Sequence, residues 1–341
     1  MAEVGSLNSI TYSNIGSVDS ITYSSIGAIN SISFVSSAFG DKAYFVGGAT
    51  TAGSYNTSSS VLDFPTQVVS AGTPTLGTAR QEAAGVSDAA TYGYVNGGLT
   101  GSQIATSERL TFSTSTFASN TATNLSVARG WVEGMSDRST YGYSVGGRLQ
   151  STNTYYNNSD RITFSTSTSA ANTSSNLSQA KRFHFSISSG GSYGYTAGGS
   201  TNAYVVTNNR LVFSTSTTSA STTYNMTGAK GMAFAISSGG TYGYYSGGNT
   251  GAATVLSNRM TFSTGVCAAH TASNLSTAKY YGQGISDGTT YGYAAGGYST
   301  ALMSSTDRIT FSSGTMAAYT TSNLDQTRSN YSAVAENGYG A

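Results

Sequence analysis

The chain has 341 residues, room for two average domains or one large all-β domain, and only 9% of them are charged. Fifteen Lys and Arg against fourteen Asp and Glu leave a net charge of +1, too little to draw the protein to nucleic acid or to an anionic membrane surface. The 25 Tyr, 13 Phe and 42 Gly exclude a disordered chain, which is poor in aromatics, and suit strands joined by tight turns.

The single cysteine, Cys267, cannot form an intrachain disulfide and reads as a small buried apolar residue. The opening Met-Ala-Glu-Val-Gly-Ser-Leu shows no basic start followed by an apolar run. No stretch approaches the roughly 18 uninterrupted apolar residues of a membrane span. A protein without signal peptide, membrane span, metal or cofactor is therefore expected.

In chain order, residues 9–13 (Ser-Ile-Thr-Tyr-Ser) alternate like a half-buried strand, and residues 24–30 read as the exit from the strand that follows. Residues 9–19 and 20–30 are also near copies of each other, so a fibrous anchoring arm competes for this segment. A repeat of about 50 residues then takes over. Its marker, Tyr-Gly-Tyr-x-x-Gly-Gly, occurs at 92–98, 141–147, 193–199, 242–248 and 291–297, with a worn copy at 43–48. The units it defines are 30–79, 80–128, 129–180, 181–229, 230–278 and 279–327.

Unit 129–180 shows the pattern. An apolar first strand follows Arg129, and the turn Ser136-Asp137-Arg138 leads to a second strand over 141–145 that ends in Gly146-Gly147. Arg161-Ile162-Thr163-Phe164-Ser165 is a third strand, and a Ser/Thr/Asn-rich fourth reaches Leu177. Leu76, Leu125, Leu275, Leu324 and Met226 hold the place of Leu177 elsewhere. At the C-terminus Arg328 opens another first strand, and residues 337–341 look like the start of a second. Residues 328–341 together with 1–29, as strands three and four, complete a last unit. The sequence thus predicts one all-β domain over 1–341, a single seven-bladed β-propeller with no open seam.

The segments Tyr-Gly-Tyr-x-x-Gly-Gly, Arg-Ile-Thr-Phe-Ser-Thr (161–166) and Asn-Leu-Ser-x-Ala-Lys/Arg (124–129, 176–181, 274–279) resemble kelch-type repeats over the whole chain. More narrowly, they are similar to the Ser/Thr-rich kelch-like arrays of tailed phages, particularly those of cyanobacteria. The chain lacks the Trp usual late in each kelch repeat, its only Trp being Trp131, and has no partner domain for ubiquitin-ligase assembly. The resemblance implies a non-enzymatic virion protein of the tail, baseplate or fibre apparatus, made in the host cytoplasm. It would act in multiple copies as an assembly block or host-surface adhesion module, with other virion proteins and a host-surface polysaccharide as partners. The alternatives are a soluble bacterial carbohydrate-binding propeller and a polysaccharide-cleaving enzyme. Fold alone does not choose among them.

Eleven of the basic residues are locked to the repeat. Arg80, Arg129, Lys181, Lys230, Lys279 and Arg328 each open a first strand, and Arg109, Arg161, Arg210, Arg259 and Arg308 each open a third. Equal placement predicts a structural basic ring, with Glu108, Asp160 and Asp307 as local partners. The competing reading is a ring of charge around a channel mouth, suited to an anionic polysaccharide. Function is expected where the units differ. Two residues after each opening position stand Ile32, Glu82, Trp131, Phe183, Met232, Tyr281 and Asn330, which should gather at one mouth. The predicted ligand-binding residues are Trp131, Arg148, Tyr155, Tyr156, Tyr204, Tyr281, Tyr55 and Tyr298, because Tyr, Trp and Arg offer flat faces with polar tips.

No catalytic residue is predicted. His184 and His270 fall in different units at different repeat positions, and no HExxH, CxxC, GxSxG or phosphate-cradling motif occurs. Glu82 and Glu133, in adjacent first strands, are the one carboxylate pair to be weighed for glycoside cleavage, which needs a separation of roughly 5–9.5 Å. Asp88, Asp137 and Asp287 read as turn residues. Asn124, Asn176 and Asn274 match the glycosylation pattern, but their repeat phase explains them.

Overall fold

Residue alternation produces the strands. In Ser159–Thr163, Ser159, Asp160 and Ile162 are buried while Arg161 and Thr163 are half-buried, and Ser107–Thr111 and Ser257–Thr261 repeat the pattern. The Tyr-Gly-Tyr strands are buried on both faces after their first Tyr, as strands between stacked sheets must be. The computed structural model describes residues 40–339, and within them these strands build six four-stranded antiparallel sheets.

From the inside outward, blade 1 comprises Ser332–Ala335, Lys42–Val46, Ser59–Asp63 and Val68–Gly72. Blade 2 is Ala84–Ser87, Tyr92–Asn96, Ser107–Thr111 and Thr116–Ser119, and blade 3 is Glu133–Ser136, Tyr141–Val145, Ser159–Thr163 and Thr168–Ala171. Blade 4 is Phe185–Ser188, Tyr193–Ala197, Asn209–Val212 and Thr217–Ala220. Blade 5 is Phe234–Ser237, Tyr242–Ser246, Ser257–Thr261 and Cys267–Ala269, and blade 6 is Gln283–Ser286, Tyr291–Tyr298, Leu302–Thr310 and Thr315–Ala318.

The propeller therefore has six blades, not the seven expected. The tail strand Ser332–Ala335 does not begin a new sheet. It pairs with Lys42–Val46, from Ala43 opposite Ala335 to Val46 opposite Ser332, and so becomes the inner strand of blade 1. Arg328 marks the same register. Its guanidinium bonds the carbonyls of Gly47 and Ser58, as that of Arg80 bonds those of Gly97 and Thr106 one blade on. Residues 337–339 do not start a second strand either; the chain turns after Ala335. The proposed contribution of residues 1–29, the duplication at 9–30 and Ile32 lie outside the described residues.

Closure is written in aromatic pairs. The second Tyr of each marker, or Tyr44 in the worn copy, packs against the Phe of the next blade: Tyr44 on Phe112, Tyr94 on Phe164, Tyr143 on Phe213, Tyr195 on Phe262, Tyr244 on Phe311, and Tyr293 back onto Phe64. Centroids stand 5.7–6.2 Å apart. Each such pair adds about 0.5–1.5 kcal/mol beyond its buried area. Cys267 is buried as expected, and burial pushes its thiol up to about 12.

At the axis the inner strands meet backbone to backbone. A Cβ on Gly134 would stand 1.8 Å from the Gly85 carbonyl oxygen, and one on Gly85 would stand 1.9 Å from that of Ala333. Gly134→Ala should therefore force the ring apart and cost about 1–3 kcal/mol, the usual scale of overpacking. Thermal unfolding measures it; an unchanged midpoint would show that the ring has slack.

The lower mouth, where first strands turn into second strands, is covered by the tail. Tyr339 lies against Gly288 and Gly239, donates its hydroxyl to the Gly239 carbonyl at 3.3 Å, and carries the Arg138 guanidinium 4.0 Å above its ring. Gly239 and Gly288 have φ of +78° and +80°, so glycine serves both the turn and the room for the phenol.

Candidate functional site

Eliminating the cations that belong to the scaffold isolates the site. The six opening cations are buried inside the blades, at 0–3% exposure, so they form no charged ring at a mouth. Arg80 pairs with Glu108, Arg129 with Asp160 and Lys279 with Asp307 at 2.8–3.1 Å, the only ion pairs among the described residues. Arg109, Arg161, Arg210, Arg259 and Arg308 lie 4.0–4.9 Å over Tyr92, Tyr141, Tyr193, Tyr242 and Tyr291 of their own blades. Four cations break the repeat: Lys42, Arg138, Arg148 and Arg182. Arg138 holds the tail. Arg148 and Arg182 stand at the upper mouth.

That mouth has a collar. Glu82, Trp131, Phe183, Met232, Tyr281 and Asn330, one from each blade, all adopt left-handed backbone with φ between +54° and +63°. Such a conformation strains a bulky residue by roughly 1–3 kcal/mol and persists only where its surroundings enforce it. Here backbone bonds between blades do so: Glu82 N–H donates to Asn330, Asn330 to Tyr281, Tyr281 to Met232 and Met232 to Phe183, over 2.7–3.2 Å. The chain of bonds breaks at Trp131, the largest member. Trp131 reaches across to Tyr281 of the opposite blade, stacked at 5.2 Å, and meets Phe183 edge-on at 4.5 Å. The recess they leave has a volume of about 40 Å³, lined also by Glu133, His184 and Gln283. It holds a water or two and is far below the roughly 300 Å³ of a small-molecule pocket. Any sizeable ligand must lie on the rim.

On that rim an aromatic arc crosses blades 3 to 6. In blade 3 a hairpin places Arg148 opposite Tyr155. The Arg182 guanidinium sits 4.1 Å over Phe183 and 5.4 Å from the Tyr155 ring. Tyr204 lies against Gly231 of blade 5, and its hydroxyl is raised by burial and by neighbouring Tyr280. Tyr280 stacks obliquely on Tyr281 at 4.7 Å and edge-on to Tyr298 at 5.7 Å.

Of the predicted ligand-binding residues, the fold brings together Trp131, Tyr281, Arg148, Tyr155, Tyr204 and Tyr298. Tyr156 is not among them; its backbone bonds that of Gly147 and Lys181. Tyr55, in blade 1, makes no aromatic pair among the described residues. Two residues of the arc escaped sequence reasoning: Arg182 and Tyr280. Arg182 and Tyr280 each follow a repeat cation, Lys181 and Lys279, and were masked by it.

Two carboxyls complete the mouth. Glu82 is 8% exposed, its Oε2 has no hydrogen-bond partner, and burial pushes it up to about 8 against the opposing fields of Arg148 and Arg182. Glu133, inside the recess, is pushed up to about 8 by desolvation. The histidines stay apart. His184 Nε2 lies 3.1 Å from the Val145 carbonyl, whereas His270 contacts Arg259 and Ser273. Among the described residues no group of three His, Cys, Asp or Glu is placed to hold a metal ion, and no helix is long and apolar enough to cross a membrane. Asn124, Asn176 and Asn274 accept the N–H of Ser107, Ser159 and Ser257 at 2.8–2.9 Å, a structural duty in each blade. Asp88, Asp137 and Asp287 cap their turns by accepting backbone N–H groups.

These features define a six-bladed β-propeller with one differentiated face. No protein-family model matches the chain, and no curated protein matches it.

Proposed function

We propose that this protein is a non-enzymatic virion component, a rigid disc that acts as assembly block or host-surface adhesion module and binds glycans across its upper mouth. The observation that carries the glycan reading is the arc of Tyr155, Arg182, Phe183, Tyr204, Tyr280 and Tyr298 on a chain only 9% of whose residues are charged. Aromatic faces stack on sugar rings while Ser, Thr and Arg supply hydrogen bonds to hydroxyls. The particle context rests on the likeness of the repeats to kelch-like arrays of tailed phages.

A hydrolytic role is disfavoured by the carboxyls. Glycosidases push the acidities of their two carboxyls apart so that one is protonated and the other ionised. Glu82 and Glu133 are both raised, to about 8, and by the same cause, burial. Two experiments test the proposal. Mass spectrometry of purified particles should find the chain; its absence there, with glycan binding retained, would favour the soluble carbohydrate-binding alternative. Neither Glu82→Gln nor Glu133→Gln should remove a catalytic activity, and Glu133→Gln should also leave glycan binding intact. If either abolished a measured depolymerase activity, the non-enzymatic reading would fall.

A further inference from the structure

We propose that the blade 3–blade 4 sector of the upper rim is a subsite for a saccharide unit carrying a single negative charge, a carboxylate or a sulfate ester. This deepens the glycan reading above and rests on it.

Three observations carry it. First, Arg148 and Arg182 are the only two cations that break the repeat on this face, and they lie close enough that the like charge of Arg148 disfavours protonated Arg182. Arg148 stands opposite Tyr155 in the hairpin, Arg182 faces the same Tyr155 ring at 5.4 Å, and neither guanidinium forms an ion pair among the described residues. Two guanidiniums held together with open donors suit a shared anion, because the fork of N–H groups matches a planar or tetrahedral oxyanion.

Second, the one nearby acid leaves the guanidiniums free. Glu82 lies over Gly130, where an added Cβ would meet its Oε2 at 2.5 Å, and Gly130 pairs with Arg148 through both backbone bonds. Yet Glu82 makes no ion pair with either Arg, and its own Oε2 is unpartnered although 92% of the residue is buried. Glu82 and the adjoining Gln103, whose Nε2 is also unpartnered, are placed to bond sugar hydroxyls. The carboxyl of Glu82 also sets the limit on charge, since a doubly charged phosphate ester would be repelled whenever Glu82 ionises.

Third, the flat faces needed to seat the sugar ring flank the same place. Tyr155 stands on the hairpin opposite Arg148, and Tyr204 lies near Arg182, against Gly231. A longer glycan would continue along Tyr280 and Tyr298.

The test is calorimetric titration of the whole chain with trigalacturonate, its methyl ester and a sulfated galactose oligomer. At least one charged oligosaccharide should bind about tenfold or more tightly than the ester, the scale of one charge-assisted hydrogen bond. Its affinity should fall with added salt. Arg148→Gln and Arg182→Gln should each remove that preference, while Lys42→Gln, at an exposed cation on the lower side, should not. Preference for the carboxylate or for the sulfate identifies the charged group. Equal binding of acid and ester would overturn the charged subsite but leave glycan recognition standing, as would a preference that survives both Arg substitutions. Failure of every acidic and neutral sugar on a glycan array would overturn both.

Discussion

A chain ended at Thr327 should fail to fold, although it keeps every residue of blades 2 to 6 and the three outer strands of blade 1. It would lose Arg328 and Tyr331, exposed by 0% and 1%, and the strand Ser332–Ala335, all of it buried. That strand supplies more than one ladder. Ser332 Oγ donates to the Ala83 carbonyl at 2.7 Å in blade 2, and Tyr331 donates to the Ala295 carbonyl at 2.5 Å in blade 6. Its removal opens the ring at two blade interfaces and bares the edge of Lys42–Val46, a ready template for association with other chains. Burial of one large aromatic side chain is already worth about 3–5 kcal/mol by truncation, against a total stability of about 5–15 kcal/mol. Circular dichroism and size-exclusion chromatography should show an aggregated or molten chain, whereas Tyr331→Ala should fold with a lowered midpoint. A truncated chain melting cooperatively within a few degrees of the intact one would mean that the tail does not close the ring.

The second large effect concerns the buried cations. Blades 2, 3 and 6 pair theirs with an acid, but blades 4 and 5 carry Asn209 and Asn258 at the corresponding positions. There the cation is Lys181 or Lys230, bonded only to carbonyls such as Thr207 and Tyr245, and burial pulls each down to about 7. Lys can release its proton, whereas Arg cannot; Arg328 of blade 1, which also lacks an ion pair, keeps its charge against the Gly47 and Ser58 carbonyls and the Ser58 hydroxyl. Asp160→Asn should therefore cost about 3–5 kcal/mol, because it strands Arg129 as a charge without a partner. Asn209→Asp and Asn258→Asp should do the reverse and stabilise by on the order of 1–3 kcal/mol each.

The pH dependence fixes the cause. A lysine whose folded value lies below its unfolded one destabilises most below about 7, and stability returns as pH rises from there toward the unfolded value. Glu82 and Glu133, raised to about 8, act oppositely, losing stability as pH climbs through that value. Comparison of wild type with the Asn209→Asp/Asn258→Asp protein cancels the glutamates. The advantage of the double variant should be greatest at pH 6 and shrink by about 2 kcal/mol per lysine by pH 9. Urea unfolding across that range measures it, and an advantage independent of pH would show that the lysines are already neutral or solvated.

The amino-acid sequence by itself determined the strand order within each blade, the repeat-locked placement of the cations, and the six described collar positions from Glu82 to Asn330. Those features are local: alternation, turn residues and a period of about 50 residues follow from neighbours along the chain. Blade number was not local. Whether residues 328–335 found a seventh sheet or fill the first one depends on which distant strand accepts their hydrogen bonds, and Lys42–Val46 does. One cue stood in the sequence, since the unit 30–79 alone opens with Asn30 rather than a cation and so was waiting for Arg328. The rim arc was legible only in part: Arg148, Tyr155, Tyr204 and Tyr298 stood out as departures from the repeat, whereas Arg182 and Tyr280 did not. Arg148, Tyr155, Arg182, Tyr204 and Tyr280 are scattered over three repeats, and only closing the ring around a shared axis turns their loops toward one mouth. Periodicity records what every blade has in common, whereas a binding surface consists of what they do not, and those departures acquire positions only when the blades are packed.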